Sequence, residues 1–310
     1  MQEFHRYKNI LRFFVITAFI LVPITVFAGF LAYRQLKIAE TEIGLDAERL
    51  ARIIANQETQ RLEDIRNFLI GITQFAEFRN QDIAGCNKTL ELLLTKINVP
   101  VPTYYNIAIA DRNGDVFCSA LPPGQQVVNV ADRYYFKRAL RTRTFSIGEY
   151  QIGRITKKQS LNFGYPIINE KGEVTYVAIA ALNLEAFHAD SDFIVTDRQG
   201  TILAYPGEPA RIGTAFSFDF NQEVHDAATG FFKSKGPDGQ SYIFGFAALP
   251  SEPREDHLHI IVGVSEARAL TAINKSLAKN IVWFVISTII AFFLGWLLSG
   301  KLLERLLSHR

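Results

Sequence analysis

The chain has 310 residues, 48% of them apolar and 12% aromatic, with 33 basic and 31 acidic side chains. That length holds one large domain or two small ones beside any membrane segment. The near-neutral balance, without a basic stripe, excludes a nucleic-acid surface.

The first element is uncharged and apolar, Phe13–Tyr33, and a second such stretch, Ile281–Gly300, lies near the other end. Each has about the 20 residues a helix needs to cross a bilayer core. Arg6, Lys8 and Arg12 precede the first stretch, and Lys301, Arg305 and Arg310 follow the second. The positive-inside rule therefore expects 1–12 and 301–310 in the cytoplasm and 34–280 outside it. Val26-Phe27-Ala28 has signal-peptidase spacing, but the apolar run is long and a helical pattern continues past it, so an uncleaved anchor is expected. The tail 301–310 is too short for an output module, which is expected to lie outside this chain or on a separate partner.

Residues 34–80 read as one long helix. Leu36, Ile43 and Leu50 recur every seven positions, and Ile54, Leu62, Ile65, Leu69 and Ile72 continue an apolar stripe. That pattern suits a dimer-forming stalk, or a helix packed on its own domain. The two cysteines, Cys86 and Cys118, fall in the expected oxidising compartment. Bridged, they close a loop of about 33 residues; the alternative is two separate buried thiols.

After Pro100 and Pro102 the pattern changes to short strands and turns, with an internal echo. Ile109-Ala110-Asp111-Arg112-Asn113-Gly114-Asp115-Val116 resembles Val195-Thr196-Asp197-Arg198-Gln199-Gly200-Thr201-Ile202. Asp-Arg-x-Gly between apolar runs reads as a hairpin turn, where Asp tolerates turn geometry and Gly supplies a positive φ. Phe163-Gly164-Tyr165 and Phe244-Gly245-Phe246 form a second echo, followed by apolar strands at Val174–Asn183 and Leu258–Val264. Two tandem antiparallel-sheet modules are expected, with helices at Ala131–Arg141 and Ser217–Ala228. The expected segments are 34–94 for the stalk helix and connection, 95–189 and 190–266 for the modules, and 267–280 for a helix returning to the membrane.

The stretch Asn129-Val130-Ala131-Asp132-Arg133-Tyr134-Tyr135-Phe136-Lys137-Arg138-Ala139-Leu140, then Phe145–Tyr150, Leu161–Pro166 and Gly172, resembles the double Cache (tandem PAS-like) sensor domains of bacterial receptors. Cys86 and Cys118 resemble a cysteine pair of the subgroup that precedes diguanylate cyclases or histidine kinases. The resemblance implies an α+β fold, a long stalk helix followed by two antiparallel-sheet modules between two transmembrane helices. It also implies periplasmic ligand binding in the first, membrane-distal module. Amino-acid-binding members hold a carboxylate with Arg-x-aromatic-aromatic, which Arg133, Tyr135 and Phe136 match. Their acidic positions correspond to Ile152 and Asn183, neither of them acidic, which argues against an ordinary α-amino acid.

The guanidinium of Arg133 suits a carboxylate or phosphate. Tyr134, Tyr135, Phe136 and Tyr150 supply aromatic walls and hydroxyls, and Glu149 and Asn183 are lesser candidates. Structural alternatives stand beside these: Asp132 as a helix cap, Arg133 paired with Asp132 or Glu149, the aromatics as core. Lys157 and Lys158 read as solvated hairpin residues. Asp256-His257-Leu258-His259 could offer two imidazoles, but an edge strand beside a charged loop explains it. No metal and no cofactor are expected.

A hydrolase lacks any catalytic constellation: the chain has no Gly-x-Ser-x-Gly elbow and no His-Glu-x-x-His. The expected function is a non-enzymatic input region in the inner membrane. It would bind a small polar or carboxylate metabolite, pair as a homodimer through its stalk, and drive a cytoplasmic output module or partner. The competing reading is a membrane-anchored scaffold that senses nothing.

Overall fold

The computed structural model describes residues 2–75, 82–100, 102–122, 124, 127–187, 193–216, 224, 227–236, 238–249 and 258–307. The first element is α1, Gln2–Ile72, a 71-residue helix that runs through Pro23. It ends at Ile72 in a turn at 73–74, short of the expected residue 80. The N-terminal part of α1 is the one described helix long and apolar enough to cross a membrane. After the short helix α4 (Leu184–Phe187), the last helix, α5 (Glu266–Leu307), contains a shorter apolar run, Ile281–Ile290. Met1–Ile43 and Val264–Arg310, with Gly239–Ser241, form one unit; Gly44–Asp238 and Tyr242–Gly263 form the other.

Within the second unit, one face of α1 is buried at Ala47, Ala51, Ala55, Glu58, Leu62, Ile65, Leu69 and Ile72. Steps of three and four keep these positions on one stripe. The heptad Leu36, Ile43, Leu50 is not that stripe: Leu50 is 48% exposed, as are Leu45 (48%) and Ile53 (50%). Glu58 interrupts the apolar stripe; burial raises its carboxyl above the ordinary value, against the pull of Arg61 at 3.2 Å.

Two five-stranded antiparallel sheets follow. The first contains β1 (Tyr104–Asp111), β2 (Val116–Ser119), β3 (Ser146–Ile152), β4 (Gln159–Ile168) and β5 (Val174–Asn183), in the order β2-β1-β5-β4-β3. The second contains β6 (Ile194–Thr196), β7 (Ile202–Ala204), β8 (Thr229–Lys235), β9 (Ser241–Ala248) and β10 (His259–Ser265), in the order β7-β6-β10-β9-β8. The chain is thus α+β with two sheets of identical strand order. The expected second-module helix, Ser217–Ala228, falls largely outside the described residues, as do His188, His225 and His257.

Alternating side chains give the first sheet two buried faces. Ile107, Ile109, Leu161, Phe163, Ala178 and Ala180 join the core of α1 and of α2 (Ile83–Ile97). Ala108, Ala110, Val177 and Ile179 face α3 (Tyr134–Thr142) with Tyr135, Phe136 and Ala139. The Cys86–Cys118 disulfide joins α2 to β2, with both residues fully buried.

The repeated turn is real at atomic detail. Gly114 N–H donates to the Asp111 carbonyl at 3.0 Å, and Gly200 N–H to that of Asp197 at 3.0 Å. Both glycines have positive φ, 89° and 77°. Asp111 Oδ1 accepts from Asn113 and Asp115 N–H, and Asp197 Oδ1 accepts from Gln199 and Thr201 N–H, all at 2.9 Å. The Phe-Gly-aromatic echo is not of this kind. Gly164 faces α3, 3.0 Å from the Tyr135 carbonyl for an added Cβ, whereas Gly245 faces α1. The two motifs are one residue out of phase, and a one-residue slip reverses every side chain.

Candidate functional site

A small cleft, with about 40 Å³ of open space, lies on the α3 side of the first sheet. Its floor follows from strand register. Asn106 on β1 pairs with Ala181 on β5, and Ala181 pairs with Asn162 on β4. The three form a row across the sheet, polar, small, polar, with room over Ala181. Asn106 also ties β1 to β2: its amide bonds Ser119 Oγ at 2.9 Å, and its oxygen accepts from Leu121 N–H at 3.1 Å.

Gln151 reaches the cleft because β3 is irregular. Ile147 pairs with Phe163 and Tyr150 with Leu161, so three steps on β3 answer two on β4. That extra residue is a bulge, and a bulge re-aims the side chains after it. Without it, Gln151 would point to the α1 side with Ile147.

The wall is α3 and the loop before it. The helix begins at Tyr134 and not at Ala131, because residues 129–133 are held in turns. Asn129 Oδ1 accepts from Ala131 N–H at 2.9 Å, and Arg133 N–H donates to the Val130 carbonyl at 3.0 Å. Asp132 does not cap the helix. Its carboxylate receives both Arg154 guanidinium nitrogens at 2.6 and 2.7 Å, which holds its carboxyl below the usual carboxylate range. Arg154 also donates to the Asn129 carbonyl. This straps the β3–β4 hairpin, residues 153–156, across the cleft. Arg133 pairs with neither Asp132 nor Glu149; it makes a long 3.5 Å contact to the Ile152 carbonyl. Tyr135 is buried beside Asn162 and Gln151, and burial raises its pKa.

Of the residues singled out from sequence, Arg133 and Tyr135 line the cleft. Phe136 is 1% exposed in the core beneath α3. Asn183, one step beyond Ala181 on the same face, donates to the Pro102 carbonyl at 2.8 Å and accepts from Glu185 N–H at 2.9 Å. Lys157 is exposed as expected, and Lys158 Nζ sits 5.8 Å from the Tyr105 ring centre. Among the described residues no group of His, Cys, Asp and Glu could hold a metal ion.

Tyr134, Glu149 and Tyr150 meet a different neighbour, the Asp197–Gly200 turn of the second sheet. Glu149 Oε1 accepts from Arg198 at 3.0 Å and from Gln199 at 2.9 Å. Arg198 stacks 4.6 Å over the Tyr134 ring. Tyr150 N–H donates to Asp197 Oδ2 at 3.0 Å, and its ring lies where a Cβ on Gly213 would be. So Asp197 holds its own turn with one oxygen and the first sheet with the other. Asp197→Asn keeps an acceptor for the turn but sets an N–H₂ against the Tyr150 N–H. A hydrogen bond to a charged group is worth about 1.5–3 kcal/mol. Amide exchange at Tyr150 should then accelerate at least tenfold while the β6–β7 hairpin stays protected; unchanged exchange would mean another group holds β3.

A family model described as Cache domain matches residues 36–273. The chain belongs to the double Cache family. Solved structures resemble it at low identity. The extracellular domain rpHK1S-Z16, assigned to a histidine kinase, is 17% identical with a TM-score of 0.60, covering 76% of this chain and 98% of its own. The ligand-binding domain of the Pseudomonas fluorescens chemoreceptor CtaA, in complex with L-isoleucine, is 15% identical with a TM-score of 0.55, covering 76% and 96%. That of the Pseudomonas aeruginosa PAO1 amino acid chemoreceptor PctB, with L-Gln, is 16% identical with a TM-score of 0.53, covering 74% and 96%. Among curated proteins, none matches the chain.

The Cache cleft contains polar residues that sequence reasoning missed: Asn106, Gln151, Arg154, Thr156 and Asn162. The spacing of Asn106 with Ala108, and of Asn162 with Gly164, marks one strand face, but only pairing across β5 brings the two asparagines into one row.

Proposed function

We propose that residues 34–280 are the extracytoplasmic input region of a bacterial inner-membrane receptor, held by transmembrane helices at 13–33 and 281–300. A small polar or carboxylate metabolite binds in the cleft of module 95–189, and the movement passes through module 190–266 and α5 to a cytoplasmic output module or partner. The observation that carries this reading is the cleft itself. Arg133 and the Tyr135 hydroxyl converge there with Gln151 and Asn162, beside an apolar wall of Val116, Val130 and Ile179. Polar groups converging beside an apolar wall in a concave site are the usual form of a small-molecule site. The route onward is supported by adjacency. Arg133 and Tyr135 flank Tyr134, and Gln151 follows Glu149 and Tyr150, so cleft and inter-sheet contacts share two short segments.

Exposed Ile38, Leu45, Leu50 and Ile53 lie on α1 outside the buried stripe, which supports a homodimer through the stalk. The same residues favour the second reading, a scaffold without ligand. A thermal-shift screen of organic acids, amino acids, amines and purines on the full chain in detergent micelles separates the two. Receptor function expects a ligand that raises the melting temperature of wild type and not of Arg133→Ala. Equal shifts in both would remove Arg133 from the site, and no shift across the panel would leave the scaffold reading.

A further inference from the structure

The cleft wall bears charge of one sign. Arg133 and Arg154 are its charged lining residues, and no carboxylate lines it among the described residues. Asp132, the acidic side chain beside it, has both oxygens on Arg154. Arg154 is thereby matched in charge, whereas Arg133 makes its long contact to a neutral carbonyl.

Across the floor from Arg133 stands Asn162, 7% exposed. It lies beside the Tyr135 hydroxyl, and its Oδ1 has no hydrogen-bond partner. A buried acceptor left in that state is costly, and a guest that donates to it removes the cost. The small Ala181 beside it in the row leaves the guest space. The cleft therefore asks for two things at once: an anionic or acceptor group for Arg133, and a donor for Asn162 that brings no positive charge. An ammonium placed at Asn162 would be desolvated with no carboxylate in the cleft lining to match it. A hydroxyl meets the same oxygen without that cost.

We propose that the ligand is a small 2-hydroxycarboxylate, its carboxylate on the Arg133 guanidinium and its hydroxyl donating to Asn162 Oδ1. This rests on the cleft being the ligand site and adds the chemical class that the site selects. Asn162 is the specificity-determining residue. It discriminates hydroxy acids from the amino acids of equal size.

Calorimetric titration of the full chain in detergent micelles tests this, with L-lactate and L-malate set against their amino counterparts L-alanine and L-aspartate. The expected result is that wild type binds at least one hydroxy acid about tenfold or more tighter than its counterpart. Asn162→Asp should reverse that preference, since the new carboxylate supplies the missing charge. Should Asn162→Asp melt far below wild type, Asn162→Ala replaces it and is expected to erase the preference. A wild type that favours the amino acids, with binding lost in Arg133→Ala, overturns the hydroxy-acid class and leaves the site standing. A preference that survives in Asn162→Ala overturns the role of Asn162. If none of the four acids binds, the proposed class falls; the site reading also falls if no ligand in the wider thermal-shift screen depends on Arg133.

Discussion

Gly245→Ala is expected to be among the most damaging substitutions at the described glycines. A Cβ built on Gly245 lies 2.1 Å from the Ala47 carbonyl carbon and 2.1 Å from the Glu48 nitrogen, both backbone atoms of α1. No rotamer change relieves such a contact; helix and sheet must separate. The helix side of this contact is also cut to fit, with Ala47, Ala51 and Ala55 buried in succession. Overpacking a close-packed core costs about 1–3 kcal/mol and occasionally more, and a backbone-to-backbone contact belongs at the upper end. At about 2–4 °C per kcal/mol for a body of this size, Gly245→Ala should melt roughly 6 °C or more below wild type. Gly71→Ala serves as the control. It lies in α1 with nothing within 4 Å of its Cβ position, so it should be neutral or slightly stabilising, by up to about 1 kcal/mol. Similar melting for both variants would show that α1 does not bear on β9 as described.

The second large effect belongs to the disulfide. Cys86 and Cys118 are 32 positions apart, and the bridge fixes α2 against β2, an edge strand of only four residues. Opening a loop of that length releases about 3–4 kcal/mol of restraint on the unfolded chain in the loop-entropy model. The paired variant Cys86→Ala, Cys118→Ala should therefore melt roughly 6–16 °C below oxidised wild type. Wild type melted with a thiol reductant should approach the variant, and the variant should ignore the reductant. Because both sulfurs are fully buried, reduction should require heating or denaturant. A variant that melts with oxidised wild type would mean that α2 packing alone fixes that edge.

What was legible in the sequence was local chemistry. The Asp-Arg-x-Gly turns were readable because Asp and Gly each do one job within five residues, and both turns form as read. Arg133 and Tyr135 were readable from the family motif. The polar row of the cleft was not, since Asn106, Ala181 and Asn162 are brought together by strand pairing and Gln151 by a bulge, neither of which leaves a mark in composition. The Phe-Gly-aromatic echo falls on the equivalent strands β4 and β9, but likeness of letters does not fix which face a strand residue takes. Tyr134, Glu149 and Tyr150 looked like ligand residues because they are aromatic or charged and lie near Arg133. Their partner is the Asp197 turn, whose outward carboxylate oxygen no pattern announces. The stalk ended early because the apolar stripe closes at Ile72.

The gap at Gly245 also limits how α1 can move. Along β9 the same-face neighbours, Ile243 and Ala247, carry side chains, and strand rise sets them about 6–7 Å to either side. The backbone at Ala47 rests in a single notch between them. An axial slide of even one helical residue, about 1.5 Å, drives it against the notch wall and lifts the helix off the sheet. Tilting or rolling about that point leaves the contact in place. The notch is thus a fixed point of contact between α1 and β9.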